Sequence, residues 1–72
     1  MTESAIKFII SRVIDNAIDA AKEAKENEND DFYNGRKLAY YEILDTIKNE
    51  LIIREADLKE FGLDIDLEKE FI

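Results

Sequence analysis

Apolar residues recur at every third or fourth position along the first third of the chain, at Ile6, Ile9, Ile10, Val13, Ala17, Ala20, Ala21 and Ala24. That spacing winds a continuous stripe along a helix, with Arg12, Asp15, Lys22, Glu23 and Lys25 among the residues left to the polar face. It predicts a helix over about residues 3–27. Thr2 is the expected cap, since its hydroxyl can accept from a free backbone amide of the first turn, with Ser4 as the competing cap and Glu3 well placed against the helix dipole.

The stretch Asn-Glu-Asn-Asp-Asp at 27–31 is rich in side chains that bond their own backbone, so the chain is expected to reverse there. Asn29, Asp30 or Asp31 would then cap a second helix over about 31–53. Its apolar positions are Phe32, Leu38, Tyr40, Tyr41, Ile43, Leu44, Ile47 and Leu51. Gly35 lies near its start and costs roughly 1 kcal/mol against alanine there. Close backbone approach, or a helix beginning just after it, would account for a glycine at that place.

A turn centred near residue 29 sets Ala24 level with Arg36, Ala20 with Tyr40, Ala17 with Leu44, Val13 with Ile47 and Ile10 with Leu51. The small residues of one helix meet the bulky residues of the other, which keeps the gap between the axes filled. The expected fold class is therefore all-α, an antiparallel helical hairpin in one domain spanning 1–72.

Beyond Leu51 the period breaks. A short helix over about 55–61 fits Leu58 and Phe61 on one face, with Gly62 as its left-handed terminator. The acidic tail, 63–72, starts with strict alternation of acids and aliphatics, which suits either an extended segment or a last helix capped by Asp64 or Asp66. One hairpin interface cannot use all this apolar surface. Phe8, Ile14, Ile18, Ile52 and Ile53 fall at or beyond the edges of the two stripes and form the candidate self-interface, which would build a four-helix bundle as a homodimer. In the tail, Leu63, Asp64, Ile65, Asp66, Leu67 and Phe71 form a candidate partner-binding segment. The competing expectation is that Leu63, Leu67 and Phe71 close the chain's own core as a third packed segment.

Composition narrows the chemistry. The 72 residues include neither cysteine nor histidine, which removes thiolate and imidazole ligands and the commonest general base near neutral pH. A calcium loop with Gly35 in sixth place would put Phe32 third and Tyr41 twelfth, where oxygen ligands are required. No cofactor and no metal site are expected. Asp15, Asp19 and Glu23 repeat every fourth residue and read either as a docking stripe for a basic partner or as a solvated face. Tyr40 and Tyr41 diverge by about 100°, so one faces the alanines of the first helix and the other an edge.

The net charge is −8 and unevenly spread: −1 over 1–27, −3 over 28–35, +1 over 36–54 and −5 over 55–72. Such a field disfavours direct nucleic-acid or membrane partners, and Arg36 with Lys37 beside the tyrosines is too small a basic patch to reverse that. The longest apolar run near the amino terminus, Phe8 to Ile10, is too short for a signal peptide or membrane span. A cytoplasmic location is expected. The functional expectation is a small acidic, non-enzymatic helical protein acting through protein–protein interaction, the expected partners being a second copy or a protein with a basic or apolar surface. The alternative is an acidic inhibitor or nucleic-acid mimic that binds a basic protein surface.

Overall fold

Thr2 opens the first helix as a cap: its Oγ1 accepts from the Ala5 backbone N–H at 3.1 Å. In the computed structural model, which describes residues 1–72, helix α1 runs Glu3–Glu26 and helix α2 runs Asp31–Ile53. Asn27 ends α1, its side-chain amide donating to the Glu23 carbonyl at 2.8 Å. Asp30 starts α2 by accepting from the Phe32 N–H at 2.9 Å. The reversal between them is only a few residues long because each end is closed by its own Asn or Asp side chain. Gly35 lies inside α2, and a Cβ added there would meet nothing within 4 Å, so neither close approach nor a helix start accounts for it.

Helix α2 stops in a Schellman arrangement. The Glu55 N–H donates to the Ile52 carbonyl at 3.0 Å and the Ala56 N–H to the Leu51 carbonyl at 2.9 Å, with Glu55 itself in the left-handed region at φ 58°. The next turn is a 3-10 helix limited to Leu58–Phe61, shorter than the helix over 55–61 that the apolar spacing suggests, because residues 54–56 are spent on reversing the chain. Gly62 terminates it at φ 73°. The tail does not stay extended: Asp66 accepts from the Lys69 N–H at 3.2 Å and caps helix α3, Leu67–Phe71. One turn apart, Leu67 and Phe71 then face the same way.

Architecture follows from where the apolar side chains go. The fold is all-helical and without strands, with α1 and α2 packed against each other and the 3-10 turn and α3 folded back upon the pair. Ile10, Ala17, Leu44, Leu63, Leu67 and Phe71 form one buried cluster, while Val13, Tyr40, Ile47 and Leu51 pack around it. Ala17, Ala20 and Ala24 are also buried, so their small side chains line the closest approach to α2. Lys7 fastens the 3-10 turn to α1, lying 3.2 Å from the Glu60 carboxylate and 5.7 Å from the centre of the Phe61 ring.

Burial separates two sets of apolar side chains, the first deciding for the expectation that Leu63, Leu67 and Phe71 close the chain's own core. Leu63, Leu67 and Phe71 are buried in the chain's own core, so they are not free to reach another protein as an extended segment. Conversely, Ile6, Ile9, Phe32, Leu38 and Ile43 belong to the apolar stripes yet remain exposed. The stripes are wider than one neighbouring helix can cover, and the tail covers only one flank of the hairpin.

Candidate interaction surface

Each polar side chain in the protein interior is satisfied, with no buried nitrogen or oxygen lacking a partner. A polar cleft of about 210 Å³ lies between α2 and α3, lined by Tyr41, Asp45, Lys48, Asn49, Asp66 and Glu68 together with Leu67. Lys48 donates through Nζ to the Ile65 carbonyl and so ties the tail to α2. The Tyr41 hydroxyl has its pKa raised above the ordinary phenol value, first by partial removal from water and then by the nearby carboxylates of Asp45, Glu68 and Asp66. A phenol that resists ionisation stays a neutral hydrogen-bond donor, and no set of three or more carboxylates converges here or elsewhere closely enough to hold a metal ion. The cleft offers hydrogen-bonding groups and negative charge.

Helix geometry places the tail on one side of the hairpin. Lys7 and Ile14 of α1 meet the 3-10 turn that leads into the tail, Lys7 through Glu60 and Ile14 with its Cδ1 3.5 Å from where a Gly62 Cβ would stand. On α2 the tail is met by Lys48, with Tyr41 and Asp45 on the same flank. Advancing about 100° per residue, the opposite flank of α1 carries Ala5, Ile9, Val13 and Asn16. The corresponding flank of α2 carries Phe32, Ala39, Ile43, Thr46 and Ile47. At the turn end the two flanks are bridged by Arg36, whose Nη1 lies 3.1 Å from the Glu23 carboxylate. Ile9 and Ile43 are each about half exposed, at 47% and 48%.

This open face is distinguished by what it lacks. Charged residues are 39% of the chain, yet the centre of the face, along Ile9, Val13 and Asn16 and along Ile43 and Ile47, presents none, with Arg12 standing just outside it. Charge returns only at its margins, with the Glu23–Arg36 pair at the turn end, Glu50 beside Arg54 at the open end, and Arg12 at the rim. An uncharged centre with half-exposed isoleucines inside a charged rim is a pattern met at protein interfaces.

The candidate self-interface residues do not come together. Phe8, Ile18, Ile52 and Ile53 are exposed, but Ile52 and Ile53 diverge by about 100°, and Phe8 points away from the core about 80° from Ile18. Ile14 is half-buried against the core. In the tail, Asp64 is exposed and Asp66 is occupied as the α3 cap, while Ile65 packs against the core. Asp15 and Asp19 are exposed, and Glu23 of the same carboxylate series is taken up by Arg36. The open face was not visible in periodicity because its members sit within the stripes assigned to the core. The missing signal was which flank the tail would cover. Comparison with known protein families, with characterised proteins and with solved structures gives no match to this chain, and no helix is long and apolar enough to cross a membrane.

Proposed function

We propose that this chain is a small acidic, non-enzymatic interaction protein of the cytoplasm that works by helix-face contact, associating with itself first of all. The observation that carries this reading is the uncharged, half-exposed open face on a chain otherwise dense in charge. With only eight of seventy-two residues buried, covering that face would remove further apolar surface from water, worth about 25 cal/mol per Å².

Light scattering coupled to gel filtration, over a hundredfold range of protein concentration at low and high salt, tests the reading. Association through an apolar face should give a mass of twice 8.4 kDa that survives high salt. A monomer throughout the range would remove self-association.

One observation favours a second reading, in which carboxylates bind a basic protein surface as phosphates would. Asp45, Asp66 and Glu68 gather around one cleft, adding local negative potential to a chain of charge −8. Binding to a basic protein that weakens steeply with salt would support this reading, since exposed charges are screened beyond about 8 Å at physiological ionic strength.

A further inference from the structure

Self-association by itself names neither the surface that two copies share nor how they are turned. Resting on that reading, we propose that a second copy of the chain seats on the face opposite the tail, about a two-fold axis running along the hairpin, so that α1 of each copy lies over α2 of the other. The product is a four-helix bundle with both tails on its outer sides.

Size, burial and charge all point to this occupant. Helix α1 has 24 residues, so the two-helix face is about 36 Å long and about 20 Å across, on the order of 700 Å². A standard stable complex buries about 800 Å² per partner. Only Leu44 and Leu63 are large side chains wholly withdrawn from water. That shortage accompanies every molecule of the protein, and a second copy is the one partner always present with the first. The centre of the face carries no charge, so two chains of charge −8 can meet there without burying an unpaired ion.

The rim selects the axis. An axis along the hairpin keeps every residue of the second copy at its own level. Glu23 and Arg36 share a level, since they pair within one chain at 3.1 Å. Each Glu23 would then also face the Arg36 of the second copy, in a square of alternating sign. By the same register Arg12 comes within about one helical turn of the second copy's Glu50. An axis across the hairpin would instead stack α1 on its own copy, bringing Arg12, close to the middle of α1, near the Arg12 of the other chain.

Sedimentation equilibrium with circular dichroism tests this on six single variants. Ile9→Glu and Ile43→Glu should weaken association at least tenfold while remaining helical. Phe8→Glu and Ile18→Glu, on other faces, should leave it unchanged. A wild type that stays monomeric overturns the self-association reading together with this inference. A wild-type dimer that persists in Ile9→Glu and Ile43→Glu, but dissociates in Phe8→Glu or Ile18→Glu, keeps that reading and overturns this face. Should the face variants unfold, the rim still decides. Glu23→Arg and Arg36→Glu should each associate more weakly than wild type, and an equimolar mixture should recover a dimer containing one chain of each. A mixture no more associated than its components overturns the axis.

Discussion

Leu63 of the tail and Leu44 of α2 lie in one buried cluster and are the two large side chains from which water is wholly excluded. The tail is thus a wall of the core. Leu63→Ala should cost about 2–5 kcal/mol, the range for truncating a buried leucine, and on a domain this small that is a large part of the total stability. Removing 63–72 takes three of the eight buried residues with it and should abolish cooperative unfolding. Urea melts of both variants check this, and an unchanged midpoint in either would show that the tail does not close the core.

Ala20→Leu addresses the seam between the long helices. Ala20 is fully buried, so three added carbons have no space unless the helix axes separate. A loss of about 1–3 kcal/mol is expected from overpacking. Thermal unfolding as stable as that of the wild type would mean that the seam lies elsewhere.

Gly35→Ala should have the opposite sign. The position is helical, and the added methyl group meets nothing within 4 Å. The gain should be up to about 1 kcal/mol, from helix propensity and a less flexible unfolded chain. Chemical denaturation reads it directly, and a destabilised variant would show that the glycine serves a contact outside the monomer.

Glu55→Gly should also stabilise. Glu55 holds the left-handed conformation, φ 58°, that ends α2, and a side chain there costs roughly 1–2 kcal/mol that glycine does not incur. Part of this is offset by the greater freedom of glycine when unfolded. A raised melting temperature with unchanged helix content is the expected outcome, and a lowered one would place a needed contact on the Glu55 side chain.

Tyr41 supplies a pH dependence. Its phenol pKa is raised in the folded protein by partial removal from water, then by Asp45, Glu68 and Asp66. The folded state therefore holds the phenolic proton more tightly than the unfolded state. The associated stability is fully present below the unfolded tyrosine range, about 10, and is lost as pH rises through the folded value. Ultraviolet titration should show a late-ionising phenol that disappears in Tyr41→Phe and moves to lower pH in Asp45→Asn. Tyr41 ionising as early as in the urea-unfolded chain would contradict this.

Much of the hairpin is legible residue by residue. Thr2 and Asp30 accept amide hydrogens at the two helix starts, and the alanines at 17, 20 and 24 mark a seam where two helices approach closely. Gly62 takes the left-handed conformation at the end of the 3-10 turn. The interaction surface was less legible, because Ile9 and Ile43 fit the same period as Ile10 and Leu44 and only exposure separates them.

What the sequence by itself determined is what depends on near neighbours: caps, periods, the reversal at 27–31, and the absence of thiol and imidazole chemistry. Such features are set by hydrogen bonds and side-chain spacing within a few residues, so a linear reading reaches them. Tertiary structure alone decided the side on which the tail closes and the helical state of Leu67–Phe71. Alternating acids and aliphatics suit a strand or a capped helix equally well until Leu67 and Phe71 meet the hairpin. Once the 3-10 turn and the tail occupy the flank of Lys7, Ile14 and Lys48, the other flank is left bare. The choice between flanks is made by contacts between residues far apart in the chain, and it turns part of an ordinary apolar stripe into an exposed face.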